Sequence, residues 1–313
     1  MLRRHAWFVA LAFAASSAAM PARAQSGDTA SRVDIGGGRK MYLECRGMGS
    51  PVVVIVAGMR ASAEDWTKPE PGKLNVFSEV AGFTRVCAYD RPGTPVGEEP
   101  SRSDPVPQPV TAGDAVADLH ALVAAARLVT PFVLVAHSYG GVVARLYAMT
   151  YPAEVNGMVL ADTLSEGLQA AETPEEWATQ RVLLNGDLTE ALRLYPPIER
   201  ADADRSFDQI SAAPPLKPMP LVVLSADRPW GPLLPKLIAD GVLPTNIPPD
   251  FGYVTDRAQK VAQARLAALV AGARHVTNTN SGHEIHKDQP QLVADSIRDV
   301  VAAVRNGRAS LAP

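Results

Sequence analysis

The chain has 313 residues, 47% of them hydrophobic and 20% charged, which is ordinary globular material with enough apolar side chains to bury a large core. Thirty Lys and Arg stand against thirty-three Asp and Glu, and there is no basic run. Nucleic acid is therefore excluded as an expected partner.

The first residues read as a targeting segment. Arg3-Arg4-His5 is a short basic leader, Ala6 to Ala19 is apolar but too short to span a bilayer, and Ala22-Arg23-Ala24 is an A-x-A site before Gln25. This predicts a secretory signal peptide over 1–24, leaving a mature chain of 25–313. Its removal takes away Arg3, Arg4 and Arg23 and no acid, so the formal charge goes from −3 to −6. No second apolar segment approaches spanning length, so the mature protein is expected to be exported, periplasmic or secreted, without a stable membrane span.

Ser31 to Ile35 and Lys40 to Glu44 predict a hairpin turning at Gly36-Gly37-Gly38. Pro51 to Ala57 is almost wholly β-branched, the mark of a central strand covered on both faces, and Gly58 to Ser62 is the loop after it. Asp65 to Ala81 has mixed helical character broken at Pro69 and Pro71. Thr84 to Tyr89 is a strand ending in the turn Asp90-Arg91-Pro92-Gly93. Residues 94–110 hold five prolines and no apolar period, a surface loop near the mouth of the sheet. Thr111 to Leu128 is a helix leading to the strand Phe132 to Ala136. His137-Ser138-Tyr139-Gly140-Gly141 follows, and Val142 to Tyr151 reads as an amphipathic helix.

Val155 to Ala161 is a further strand ending at Asp162. From Leu164 to Pro218 the alternation stops, and short polar helices are predicted over 174–184, 188–194 and 201–210. The first opens on Thr173 as N-cap, with Pro174 at the first helical position and Glu176 closing a capping box. Such an insertion between strands looks like a cap of about 164–218. Leu221 to Leu224 resumes the sheet, Pro229 to Pro249 is irregular, and Arg257 to Ala271 is a helix. Ala273 to Thr279 is the last strand and Pro290 to Val304 the closing helix.

Strands alternating with helices predict a mostly parallel, doubly wound α/β sheet with its site beyond the carboxyl ends of the strands. Ser138, Gly58-Met59, Asp162, Asp227 and His283 all fall just after strands. On VVVIVAG, VCAYDRPG, VAHSYGG, GMVLADT and SGHEIHKDQPQLV, in that order, the chain from about Val33 to Arg305 resembles the α/β-hydrolase superfamily of the serine esterase and lipase kind. The resemblance implies a sheet of about eight strands and a nucleophile elbow at Ser138, where G-x-S-x-G is here A-H-S-Y-G with Ala136 in place of the first glycine.

A serine hydroxyl needs a base, and a neutral imidazole supplies one near pH 7. His283 sits after the last strand, where this superfamily keeps its catalytic histidine. His5 lies in the leader, His120 on a helix, His275 in a strand and His137 before the serine, while His286 reads as a surface residue at a helix start. The acid that orients the imidazole is Asp162 or Asp227. Asp162 follows the strand after the elbow and is favoured, because Asp227 comes about two residues ahead of the usual slot near Pro229. The other aspartate then caps a helix or pairs with an arginine such as Arg228. Oxyanion donors implied by the resemblance are the backbone N–H groups of Met59 and Tyr139. The family's common His-Gly in that loop is Ala57-Gly58 here, which leaves its anchoring open. Asp90 in YDRPG is expected to be structural.

An exported chain with two cysteines, Cys45 and Cys87, is expected to form one disulfide between antiparallel neighbours in this fold. No His/Cys/Asp cluster stands at metal-ligand spacing and no G-x-G-x-x-G follows a strand, so neither metal nor cofactor is expected. The sequence thus predicts a serine hydrolase acting on a small-molecule carboxylic ester, lactones included. An amidase or aminopeptidase of the same fold, or a non-catalytic binding protein, are the alternatives. Trp177 and Trp230 either line the site or pack its wall.

Overall fold

The computed structural model describes residues 27–68 and 72–311; the leader 1–24 lies outside them. β1 (Thr29–Gly36) and β2 (Arg39–Arg46) form the expected hairpin. The turn needs glycine because Gly37 and Gly38 sit at φ of 62° and 76°. β3 (Val53–Val56) follows, and the mixed segment after it resolves into two short helices, α1 (Glu64–Thr67) and α2 (Val76–Ala81). Then come β4 (Val86–Tyr89), α3 (Ala112–Ala125), β5 (Phe132–His137), α4 (Gly140–Thr150) and β6 (Val155–Ala161). Four helices stand between β6 and the next strand: α5 (Glu166–Gln169), α6 (Pro174–Asn185), α7 (Thr189–Leu194) and α8 (Ala203–Ala212). The chain closes with β7 (Leu221–Leu224), α9 (Leu234–Ala239), α10 (Phe251–Ala267), β8 (Arg274–Val276), α11 (Ile285–Asp288) and α12 (Pro290–Arg305).

The eight strands form one sheet in the order β1-β2-β4-β3-β5-β6-β7-β8. β2 runs antiparallel to β1 and β4, and every other pairing is parallel. Alternate residues of the central strands face opposite layers. Val54, Val56, Leu134, Ala136, Met158 and Leu160 join the core under α3, α4, α8 and α10, while Val53, Ile55, Val133, Val135 and Val159 join the one under α2 and α12. Burial on both faces is why these strands read as unbroken apolar runs. Cys45 and Cys87 are register partners across β2 and β4, buried and joined by a disulfide.

Three expectations are corrected. α4 is not amphipathic: every residue from Gly140 to Met149 is buried, because α3 and α8 cover its outer side. α10 begins at Phe251 rather than Arg257; its first turn buries Phe251, Gly252 and Thr255 at helical spacing, a signal masked by the prolines before it. The stretch 229–249 holds the short helix α9. The capping box of Thr173 and Glu176 on α6 forms as expected, and Thr111 with Asp114 builds a second one on α3. Among the described residues, no helix is long and apolar enough to cross a membrane.

Candidate active site

β3 ends at Val56, β5 at His137 and β6 at Ala161, so the segments that follow them open side by side at the carboxyl edge of the sheet. Ser138 follows β5 with φ at 52°, a left-handed backbone that a side-chain-bearing residue adopts only where its surroundings enforce it. The enforcement is visible in its glycines. A Cβ on Gly140 would lie 2.2 Å from the carbonyl oxygen of Val56, and one on Gly141 2.2 Å from Cβ of Thr163. Only bare backbone fits between β3 and the loop after β6. The Ser138 carbonyl accepts the N–H groups of Gly141 and Leu164 at 3.0 and 2.9 Å, which ties the turn to the end of β6. Ala136, where the motif has glycine, is buried within the β5 ladder and its methyl is accommodated there.

Asp162 also has positive φ, 42°, and its side chain is almost wholly buried. Its Oδ2 lies 2.7 Å from Nδ1 of His283, and Oδ1 accepts the N–H of Ala226 at 3.2 Å. Burial alone would raise this carboxyl's pKa. The hydrogen bond and charge of His283, with the Ala226 N–H, outweigh it and hold the pKa below the ordinary value. The same pair acts in reverse on His283: burial favours the neutral ring, but Asp162 raises its pKa above the usual histidine value. Asp227 does something else. Its carboxylate accepts the N–H groups of Asn280 and Ser281 at 2.9 and 2.8 Å, so it fixes the loop that carries His283; Arg228 acts on it through charge and makes its direct ion pair with Asp288.

His137 is buried, and its Nε2–H donates to the carbonyl of His283 at 2.9 Å. Burial, followed by the nearby His283, pushes its pKa down to about 4, so it holds that carbonyl as a neutral ring. His286 is not a surface residue: it is buried, stacked on Trp66 with ring centroids 4.2 Å apart. A polar helix start conceals this, because its partner Trp66 belongs to α1, far away in the chain.

Sequence reasoning missed the anchor of the loop after β3. Arg91 donates to the carbonyls of Ala57 and Gly58 at 2.7 and 2.5 Å. It is paired with Glu199 at 2.6 and 3.1 Å, and the same carboxylate accepts the N–H of Arg60 at 2.5 Å. Glu199 is fully buried and Arg91 nearly so. Burial opposes the Arg91 charge, and Glu199 more than restores it. Three bonds to buried charges thus hold Ala57 to Arg60, the segment containing Met59. Neither the N–H of Met59 nor that of Tyr139 has a partner among the described residues. Asp90 is structural as expected, accepting the Ala63 N–H at 2.7 Å and pairing with Arg102 at 2.6 Å.

Gly58, Met59, Ser138, Tyr139, Asp162 and His283 line one cavity of about 270 Å³. Cavities of about 370 and 400 Å³ lie alongside it, but among the described residues this is the one holding Ser138 and His283 together. Trp230 lines it, with its ring 6.1 Å from that of His283. Trp177 does not; from α6 it packs against Phe207 of α8 and donates to Asp204 at 2.7 Å. His137, His283 and Glu284 bring possible metal-ligand atoms within 4.8 Å of one another, a cluster invisible to sequence spacing. Nε2 of His137 and Nδ1 of His283 are already committed to the carbonyl and to Asp162, which leaves Nδ1 of His137 and Nε2 of His283 as the ring nitrogens outside those two bonds.

A parallel sheet flanked by helices, with a serine at a strand-to-helix elbow and a carboxylate–imidazole pair beside it, defines an α/β-hydrolase fold. The Alpha/beta hydrolase family matches residues 53–296, and the chain belongs to that family. YqjL of Bacillus subtilis (strain 168) is 26% identical over 262 residues, covering 82% of this chain and 86% of that protein. The carboxylesterase CesB (YbfK) from Bacillus subtilis superposes with a TM-score of 0.54 at 15% identity, over 89% of this chain and 93% of that one. The enol-lactonase from Burkholderia xenovorans LB400 gives 0.50 at 15% identity, over 88% and 100%. At such identities the structural likeness is one of fold.

Proposed function

We propose that the protein is a serine hydrolase that cleaves carboxylic esters, lactones included, through an acyl-enzyme on Ser138. The observation that carries this is the 2.7 Å contact of Asp162 with His283 Nδ1 in the cavity that holds Ser138 at its strained turn. In this reading Asp162 fixes the tautomer with the proton on Nδ1, leaving Nε2 free as base. Nε2 takes the Ser138 proton as Oγ attacks the ester carbonyl, then returns it to the departing alcohol; water, activated by the same nitrogen, releases the acid. Ser138 Oγ has no partner among the described residues, and catalytic contacts of this kind tighten when substrate binds. We assign the unpartnered N–H groups of Met59 and Tyr139 to the oxyanion. The resemblance of fold to an esterase and a lactonase supports the substrate class.

We further propose that residues 1–24 are removed on export, a route compatible with the buried Cys45–Cys87 disulfide. Mass spectrometry of the exported protein tests this by its N-terminus. For the chemistry, Ser138→Ala is assayed on short p-nitrophenyl esters, with matched lactones and amides alongside. The reading expects ester turnover to vanish; turnover retained by the variant contradicts it.

A further inference from the structure

The cavity carries a feature that simple ester hydrolysis does not use. Much of its lining is apolar, with Leu164, Leu168, Leu183, Leu184 and Leu243 contributing. Into it faces Gln180 from α6, whose side chain is only 2% exposed. Thr255 of α10 lies with its Oγ1 2.8 Å from Gln180 Oε1 and 3.5 Å from the Phe251 carbonyl. The second distance is too long for a sound hydrogen bond, so the hydroxyl proton goes to Gln180. That fixes the amide with its oxygen toward α10. The two N–H bonds on Nε2 point away from Thr255 and have no partner among the described residues.

A pure hydrocarbon arm filling this cavity would strip water from the Gln180 amide and leave a desolvated donor unpaired, which is costly. An arm of the same size with one acceptor oxygen at the right place avoids that cost. Building on the hydrolase reading above, we infer that the physiological substrate is an ester or lactone whose buried arm is apolar except for a single hydrogen-bond acceptor, a ketone carbonyl, received by Gln180 Nε2. Gln180 is then a specificity-determining residue acting at a distance from the scissile bond, and Thr255 is the residue that orients it.

The test compares kcat/KM of the full chain on straight-chain p-nitrophenyl esters with esters of the same length bearing one ketone at successive positions. The expected result is a preference of roughly 10- to 100-fold for one ketone position over the plain chain. That preference, read as the ratio of kcat/KM for the ketone ester to that for the plain ester, disappears in Gln180→Leu. Thr255→Val, which unpins the amide without removing it, lowers the same ratio without abolishing it. Hydrolysis of all esters by wild type with no positional preference overturns this inference and leaves the hydrolase reading standing, as does preference for arms carrying a donor such as an amine. No turnover of any ester, with Ser138 unreactive to a fluorophosphonate, overturns both.

Discussion

Replacing Glu199 with Gln tests whether the buried pair with Arg91 positions the loop that carries Met59, the donor proposed for the oxyanion. Both carboxylate oxygens of Glu199 are used: Oε1 accepts from Arg91 Nε, and Oε2 from Arg91 Nη2 and from the Arg60 N–H. Glutamine has nearly the same shape but one oxygen. Whichever way its amide turns, an NH2 faces an N–H, so either the Arg60 amide or the Arg91 guanidinium loses an acceptor. Arg91 in turn holds the carbonyls of Ala57 and Gly58, so the displacement falls on the peptide that presents Met59 N–H.

Complete loss of one oxyanion donor costs about 10²- to 10³-fold in kcat. Glu199→Gln shifts the donor rather than deleting it, so kcat on a short p-nitrophenyl ester is expected to fall about 10- to 100-fold with KM nearly unchanged. Glu199→Ala is less informative, because an uncompensated buried guanidinium costs about 3–5 kcal/mol and unfolding would confound the assay. Steady-state kinetics is paired with a thermal melt. A folded Glu199→Gln protein with kcat within about two-fold of wild type refutes the positioning role.

The remaining expectations concern protonation and the disulfide. Because Asp162 raises the pKa of His283, kcat/KM should climb with pH through an inflection above the ordinary histidine value, as the imidazole loses its proton. Asp162→Asn should move the inflection down and cut kcat by about 10⁴-fold; an unmoved inflection contradicts the pairing. For stability, His137 binds a proton near pH 6.5 when unfolded but only near 4 when folded, so acidification across that window should cost about 3 kcal/mol. His283 works oppositely, stabilising below the unfolded histidine pKa and ceasing to as pH rises through its folded one. Urea titrations of His137→Gln, whose amide can donate to the same carbonyl, should show a shallower acid slope; an identical slope refutes the assignment. Reducing Cys45–Cys87, 42 residues apart, should lower the unfolding free energy by about 4 kcal/mol on the chain-entropy account, read as a lower urea midpoint once both thiols are shown to be free.

How much of this was legible follows from what kind of contact each feature depends on. β6 and β7 occupy the very residues expected, Val155–Ala161 and Leu221–Leu224, because a doubly buried strand writes itself as a bounded apolar run. Ser138 was legible for the same reason: its flanking glycines answer to local crowding. The choice between Asp162 and Asp227 was not settled by sequence, since both follow strands and both end up near His283. The first meets the ring and the second the backbone of the same loop, a difference that side-chain geometry makes and spacing does not. Arg91 was seen only as part of a turn, and Glu199 not at all. Their pairing spans 108 residues and joins a β4 turn to the segment between α7 and α8, and a lone buried acid carries no periodic signal. His286 was misplaced on the surface because its burial depends on stacking with Trp66 of another element.

The central claim is that Ser138 is a nucleophile activated by His283. Treating the folded chain with a fluorophosphonate and locating the adduct by peptide mass spectrometry tests it most directly. The account predicts a single stoichiometric adduct on Ser138, lost in His283→Ala. An unmodified Ser138 in folded, soluble protein, or undiminished labelling without His283, would contradict it.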